Sequence, residues 1–266
     1  MAVVGALALA TAAPGGCGGH PTAPGMQDRQ RLVWSDEFEM SGLPDPGRWS
    51  YDVGGSGWGN AELQFYTRGR SENARVENGH LVIEARREQW QSNDYTSARL
   101  VTKGRRDWTY GRFEARARLP KGRGSWPAIW MLPTTNAPMK WPDDGEIDIM
   151  EHVGFDPGTI HGSVHTKRYN HVIGTQKTGT LLVPDATDAF HVYAIEWSAS
   201  RIRWLVDDRE YFSFAREEGG RDVWPFDGAF HFILNIAVGG TWGGQKGVDG
   251  DALPFRMEVD YVRVYQ

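Results

Sequence analysis

The sequence predicts an all-β fold, a sandwich of two antiparallel sheets. Short runs alternate apolar with polar side chains, as antiparallel strands buried on one side do. The clearest runs are 81–86, 113–119, 201–204, 230–238 and 258–265. Thirty-three Gly and fourteen Pro are spread along the chain, which suits many short strands joined by turns. No segment keeps a helical period over three turns and no βαβ alternation occurs, so helical bundles and α/β folds are excluded.

One segment is ambiguous. Residues Glu210–Glu218 come nearest to a helical pattern, although Phe212 and Phe214 favour a strand at the start of it. Asp207 and Asp208 precede the segment and predict a hairpin turn, because short acidic side chains tolerate turn geometry. The strand is therefore the favoured interpretation.

The first 24 residues differ in composition from all that follows. Residues 2–13 are almost wholly small and apolar, and they are too few for a transmembrane helix, which needs about 20. They are typical of a secretory signal with a small-residue cleavage region. We therefore expect a signal peptide over 1–24, a linker over 25–30, one domain over 31–266 and an extracellular location. Cys17 resembles the acylated cysteine of a bacterial lipoprotein signal, whereas Pro14 departs from that pattern, so lipid anchoring stays open beside plain secretion.

Charge and missing motifs exclude several functions. The chain has 29 basic and 34 acidic residues, which argues against a nucleic-acid partner. It lacks the glycine-rich nucleotide motifs, the G-x-S-x-G elbow and H-E-x-x-H. His161 and His165 are four residues apart, which on a strand is about 13 Å and too far for one metal ion. No membrane span is expected, and a monomer is expected.

The acidic stretch Gly145–Glu151 is the strongest candidate site. Glu146 and Asp148 alternate with two isoleucines, so they share one face of a strand. Glu151 follows Glu146 by five positions and would point into the core of a straight strand. A β-bulge at or near Met150 would bring all three carboxylates to one face. Paired carboxylates are the apparatus of glycoside hydrolysis, while a solvated acidic strand is the alternative.

Tryptophans surround this stretch in the sequence. Twelve are present, and several stand in glycine-rich or proline-rich segments where a large ring has little core to fill. These are Trp58, Trp126, Trp130, Trp141 and Trp242. Indole rings stack on the apolar face of a sugar, and polar groups such as Asn60 and Glu62 bond its hydroxyls. The pattern favours a saccharide cleft.

Together these stretches resemble glycoside hydrolase family 16, and within it the bacterial laminarinases. The resemblance rests on Gly145–Glu151 with residues 126–133 before it. It extends to 34–38, 60–67, 111–114 and 260–265, nearly the whole mature chain. It implies a concanavalin-like β-jelly-roll sandwich with an open concave substrate cleft. It also implies a secreted endo-glycosidase that hydrolyses β-1,3-glucosidic bonds in laminarin-type β-glucans with retention of configuration.

The resemblance assigns roles to the three carboxylates. Glu146 would be the nucleophile, Glu151 the acid/base and Asp148 the helper that positions and tunes them. Retention requires the two working carboxyls about 5–5.5 Å apart. The extra residue Met150 is carried by laminarinases and is absent from the family branch specialised for mixed-linkage lichenan, so β-1,3-glucan is favoured.

The resemblance also implies binding residues. Asn60, Trp126 and Trp130 match positions on the glycone side of the cleft. Arg99, His165 and Trp242 match less closely. No cofactor is expected for catalysis. A structural calcium ion is implied on the convex side, with Glu37, the Gly79 carbonyl and Asp260 as ligands, since oxygen ligands suit a hard cation.

Two kinds of alternative remain. Within the family, mixed-linkage β-1,3-1,4-glucan or agarase-like specificity and transglycosylase activity are open. Outside catalysis, this fold also serves as a β-glucan recognition module. Such modules typically lose the catalytic glutamates, and Glu146 and Glu151 are both present here. A hydrolase is therefore the expected function.

Overall fold

The computed structural model describes residues 1–2, 31–135 and 137–266. The predicted signal peptide and linker, with Cys17, fall almost wholly outside the described residues. The strands are β1 Leu32–Asp36, β2 Ser50–Tyr51, β3 Gln64–Tyr66, β4 Ala74–Glu77, β5 His80–Trp90, β6 Asn93–Ser97, β7 Arg99–Val101, β8 Gly111–Arg118, β9 Ser125–Pro133, β10 Glu146–Glu151, β11 Thr159–His165, β12 Lys177–Leu182, β13 His191–Trp197, β14 Arg201–Val206, β15 Arg209–Ala215, β16 Phe230–Val238 and β17 Phe255–Tyr265. Short 3₁₀ helices cover His171–Ile173, Gly220–Asp222 and Gly250–Ala252. None of the helices in these ranges has the length and apolar character to cross a membrane.

The strands form two sheets, which confirms the predicted all-β class. One sheet has the order β15-β14-β13-β8-β17-β5-β6-β3, with β1 beside β17 and β4 beside β5. The other has the order β12-β11-β10-β9-β16-β7-β2. The pairs are antiparallel except β3 with β6, where Gln64 pairs with Tyr95 in parallel. This parallel pair joins two strands that are not consecutive in the chain, so no hairpin fixes their relative direction.

The core lies between the two sheets. Phe113 of β8 and Phe232 of β16 meet across it, with ring centroids 5.8 Å apart at 60°. Strand β16 alternates as predicted, because Phe232 and Leu234 face the core while Asn235 lines the opposite, concave face. Such alternation lets one strand supply both the core and a site.

The ambiguous segment 210–218 begins as a strand, and β15 pairs with β14 through a tight hairpin. Asp207 and Asp208 form its turn with φ values of 49° and 63°. Positive φ at both central residues gives the turn twist that antiparallel strands favour. The favoured interpretation of this segment was correct.

Strand β10 lies inside the seven-stranded sheet, between β9 and β11. Its pairing with β11 runs from Glu146 opposite His165 to Asp148 opposite Ser163, then shifts by one residue so that Glu151 lies opposite His161. The pairing with β9 shifts at the same place. The structure therefore contains the predicted bulge, with the side chain of Met150 fully buried.

A tryptophan of the opposite sheet holds this bulge. Trp204 of β14 donates its indole N–H to the backbone carbonyl of Asp148 over 2.7 Å. Gly162 of β11 makes room for the ring, since a Cβ there would lie 2.4 Å from Trp204 Cδ1. A bulge disrupts the ladder locally, and a buried carbonyl needs a partner. Trp204 supplies that partner.

Candidate active site

The bulge brings the three carboxylates of β10 into one cleft. Glu146, Asp148 and Glu151 all line a cleft of about 850 Å³ on the concave face of the seven-stranded sheet. On a straight strand Glu151 would have faced the core, where Ile147 and Ile149 lie. The extra residue is therefore what makes the acidic stretch a cluster.

Glu146 is held at the start of the strand. The indole N–H of Trp141 donates to Glu146 Oε2 over 3.0 Å. His165 Nε2 lies 3.7 Å from Glu146 Oε1. The side chain is mostly buried, with 15% of its surface exposed. A carboxylate that is fixed by one donor and lines the cleft is suited to attack a bound substrate.

Asp148 lies deeper in the cleft. His165 Nε2 lies 3.2 Å from its Oδ2. One side-chain atom from each of Glu146, Asp148 and His165 lies within 4.8 Å of the other two. Asp148 can therefore act on Glu146 through charge and through a shared imidazole.

Glu151 is held from the other side. The indole N–H of Trp126 donates to Glu151 Oε1 over 3.0 Å. The ring of Trp126 meets Trp242 edge to face at 5.5 Å, and Trp242 meets His161 in the same manner at 4.8 Å. The acid/base candidate thus lies at one end of an aromatic row.

The electrostatics of the cluster favour bound protons. Burial raises the pKa of Glu146 to about 8, and the Asp148 charge adds to the effect. Burial followed by the charge of Asp148 likewise raises the pKa of Glu151 to about 8, and burial raises the pKa of Asp148. Close like charges in a dry site cannot all be ionised. One carboxyl can therefore stay protonated as an acid while another is charged.

A hydrogen-bonded chain orders the part of the cleft beyond β9. Trp130 donates its indole N–H to Asn235 Oδ1 over 2.7 Å, and Asn235 donates to the Tyr66 hydroxyl over 3.0 Å. Tyr66 donates in turn to Glu62 Oε2 over 3.2 Å, and Asn60 donates to Glu62 Oε1 over 3.3 Å. Such fully partnered polar chains fix side-chain positions.

Arg99 is sandwiched between two indoles in the same region. Its guanidinium lies 4.6 Å from the ring centre of Trp58 and 4.7 Å from that of Trp130. Its Nε lies 3.0 Å from a carboxylate oxygen of Asp52. Cation–π contacts of this kind hold the ring planes in place.

The cleft brings together every sugar-binding residue named from the sequence. Asn60, Arg99, Trp126, Trp130, His165 and Trp242 all line it. Their roles in binding and those of the three carboxylates in catalysis stay predictions. The sequence analysis placed Trp141 among the aromatic residues of a saccharide cleft, and Trp141 does line it. It gave no role to His171 or Asn235, which also line the cleft. The hydrogen bond from Trp141 joins residues only five positions apart, whereas the place of Asn235 follows from the sheet order.

The residues implied as calcium ligands have other partners. Glu37 accepts two hydrogen bonds from Arg263, over 3.0 and 2.8 Å. Asp260 pairs with Arg116 over 2.5 Å and lies 3.7 Å from His80 Nε2. Both carboxylates are thus already neutralised by arginine. The calcium site on Glu37, the Gly79 carbonyl and Asp260 stays a prediction.

Comparison with known proteins agrees with the geometry. Residues 61–263 match the model of glycosyl hydrolases family 16. A β-glucanase of Rhodothermus marinus is 63% identical over 242 residues, which cover 88% of this chain and 85% of that protein. A glucan endo-1,3-β-glucosidase of Cryptopygus antarcticus is 42% identical over 251 residues, covering 87% of this chain and 90% of that protein.

A solved structure supports the fold in the same way. The X-ray structure of the laminarinase from Rhodothermus marinus matches with a TM-score of 0.88 at 62% identity, covering 90% of this chain and 98% of that one. This likeness confirms the jelly-roll sandwich, and the names of these relatives, a β-glucanase, a glucosidase and a laminarinase, confirm the expected enzyme. The chain therefore belongs to glycosyl hydrolase family 16 and is a glycoside hydrolase.

Proposed function

We propose that the protein is an endo-acting β-1,3-glucanase that cleaves laminarin-type glucans by double displacement with retention of configuration. The observation that carries the proposal is the cluster of Glu146, Asp148 and Glu151 on one face of the cleft. The names of the relatives support the substrate class.

In the first step Glu146 attacks the anomeric carbon of the glucose unit on the glycone side. Glu151 gives its proton to the glycosidic oxygen as the bond between carbon and oxygen breaks. The aglycone leaves with a free hydroxyl group, and the glycone is left as an ester of Glu146. Burial raises the pKa of both glutamates to about 8, so one of the two can hold a proton, and this step assigns that proton to Glu151.

In the second step Glu151, now a carboxylate, takes a proton from water. The water oxygen attacks the anomeric carbon and expels the Glu146 carboxylate. Both glutamates return to their starting protonation states. Asp148 lies between them in sequence, and its charge opposes ionisation of each. Glu151 takes part in both proton transfers, and the proton that it regains comes from the attacking water.

The two sides of the cleft differ in a way that fits a polysaccharide. The β9–β16–β7 side offers the indoles of Trp58 and Trp130, while the β11–β12 side offers Ser163 and Thr178. An open cleft of this kind lets a long chain lie across the sheet. Endo action on internal bonds is therefore favoured.

The test is product analysis on laminarin, curdlan, lichenan and agarose in parallel. We expect laminarin to be cut fastest, with a broad range of oligosaccharides early in the reaction. Glu146→Gln should lose hydrolysis on all four while it stays folded and is retained on curdlan. Preferential attack on lichenan or agarose would overturn the β-1,3 assignment, and full activity in Glu146→Gln would overturn the mechanism.

Secretion is part of the same proposal, since β-glucan polymers are too large to enter a cell. The full chain should be processed after residue 24 and recovered from the culture medium of a bacterial host. If Cys17 is acylated instead, the protein will partition into detergent and Cys17→Ser will release it. Unprocessed protein retained in the cytoplasm would contradict both routes.

A further inference from the structure

Each of the two glutamates accepts one indole N–H. Trp141 donates to Glu146 and Trp126 donates to Glu151, both over 3.0 Å. We propose that Trp141 and Trp126 are positioning residues that set the proton affinity of the nucleophile and of the acid/base separately. The inference rests on the proposed function, because it needs these two roles.

Two imidazole rings pack against the indole of Trp141. The ring centre of Trp141 lies 5.0 Å from that of His171 and 5.9 Å from that of His165. His171 begins the short 3₁₀ helix that Asn170 caps through its side chain. The N–H of Trp141 is thus aimed at Glu146 by elements outside β10.

A glycine-rich turn packs against the side chain of Trp126. A Cβ at Gly240 would lie 3.2 Å from Trp126 Cζ3, and one at Gly243 would lie 2.8 Å from Trp126 Cβ. Only residues without side chains let the turn pack so closely against the ring. Trp242 closes the other side, edge to face. The two indoles are therefore held by different parts of the chain.

An indole N–H can donate and cannot accept. It stabilises the charged carboxylate more than the neutral acid, so it lowers the pKa of its glutamate and opposes the effect of burial. Both bonds act in that direction. The lower pKa keeps more of Glu146 in the charged form that attacks. It also lets Glu151 release its proton more readily.

Other titratable groups face the two glutamates from several elements. They are Asp148 on β10, His161 and His165 on β11, Glu62 from the loop before β3, Tyr211 on β15 and His171 beside Trp141. Asp148 and His165 act on both glutamates. Each indole, by contrast, is hydrogen bonded to one glutamate. A donor that is bonded to only one of two neighbouring carboxyls allows their pKa values to differ.

Trp130 provides the matched comparison. It lines the same cleft, and its N–H is also bonded, over 2.7 Å, but to the Asn235 amide. Removing this N–H removes a cleft indole donor without touching either glutamate. Loss of the Trp130 N–H should change the affinity for substrate and leave the pKa values of Glu146 and Glu151 unchanged.

The experiment is the pH dependence of kcat/KM on soluble laminari-oligosaccharides, because its two limbs report the essential base and acid of the free enzyme. Trp141→Phe should move the acidic limb up by about 0.5–1 pH unit and the alkaline limb by less. Trp126→Phe should move the alkaline limb up by a similar amount and the acidic limb by less. Trp130→Phe should move neither limb while its KM rises.

An isosteric substitution distinguishes the loss of the N–H from a folding defect. β-(3-Benzothienyl)alanine at 126 or 141 replaces the N–H with sulfur and keeps the ring, so the same limb shifts are expected with an unchanged melting curve. Active variants whose limbs match the wild type, or limbs that move together whichever indole is changed, would overturn the inference. Failure of the proposed function looks different, since Glu146→Gln would then remain active.

Discussion

Trp204 of one sheet donates its indole N–H to the backbone carbonyl of Asp148 in the other, over 2.7 Å. The contact lies where the pairing of β10 shifts by one residue on both sides. It satisfies a carbonyl at the bulge from inside the core. The geometry of the three-carboxylate face therefore depends on a tryptophan that is not among the residues lining the cleft.

This contact predicts a specific loss in Trp204→Phe. A buried carbonyl left without a donor costs about 1–3 kcal/mol, beyond the packing lost with the smaller ring. We expect a lower free energy of unfolding and a lower kcat, because Glu151 would no longer be held toward Glu146. Urea unfolding and laminarin kinetics measure the two effects.

Trp224→Phe is the control for this prediction. Trp224 is equally buried, and its Nε1 has no hydrogen-bond partner within the described ranges. The packing loss should be similar, without the carbonyl penalty and without the fall in kcat. Equal losses in Trp204→Phe and Trp224→Phe would mean that the hydrogen bond does not support the bulge.

The close approach of Glu146, Asp148 and Glu151 predicts that the free energy of unfolding rises when one of these carboxylates is replaced by a neutral side chain. The pKa of Glu146 is raised to about 8 by burial first and by Asp148 next, so the folded state binds a proton that the unfolded state has lost. Stability contributed by that proton is present at low pH and falls as pH rises from about 4.5 to about 8. The Glu146→Gln variant should not show this fall in stability, because glutamine does not titrate.

Melting curves between pH 4 and pH 9 check the sign. The Tm of Glu146→Gln should equal that of the wild type near pH 4 and exceed it at pH 8, by a few degrees for a gain on the order of 1–3 kcal/mol. Glu77→Gln serves as the opposite control, because hydrogen bonding to Arg75 lowers the pKa of Glu77. A gain that is largest at pH 4 would refute the electrostatic account.

The chain from Trp130 to Glu62 predicts a binding defect in Tyr66→Phe. The Tyr66 hydroxyl links Asn235 to Glu62, so its removal should loosen Trp130 and raise KM about three- to tenfold with little change in kcat. Tyr193→Phe is matched to it, because the buried Tyr193 hydroxyl lacks a hydrogen-bond partner among the described residues. A rise in KM shared by both variants would show that the chain does not order the cleft.

The fold and the acidic face were accessible from local patterns. Period-two alternation identified β8 and β16, and the five-residue spacing from Glu146 to Glu151 required a bulge. What the sequence could not supply was the partner of each residue across the sheets. Trp204 holds Asp148 from 56 positions away, and Asn235 meets Tyr66 from 169 positions away. Those contacts follow from strand order, which local periodicity does not encode.

The calcium ligands stay a prediction. The resemblance implies Glu37 and Asp260, and the structure pairs their carboxylates with Arg263 and Arg116. Both arginines are on strands that run beside the assigned residues in the folded sheet, a neighbourhood that a motif match does not reveal.

The most direct measurement is a trap of the covalent intermediate. A 2-deoxy-2-fluoro laminaribioside with a dinitrophenyl leaving group should glycosylate the nucleophile, release dinitrophenolate and inactivate the enzyme. The fluorine slows both steps, whereas the good leaving group speeds only the first, so the intermediate accumulates. Mass spectrometry of the peptides then locates the sugar. The account predicts a single glycosyl ester on Glu146. A label on Asp148 or Glu151, or turnover through an inverting route without any label, would contradict it.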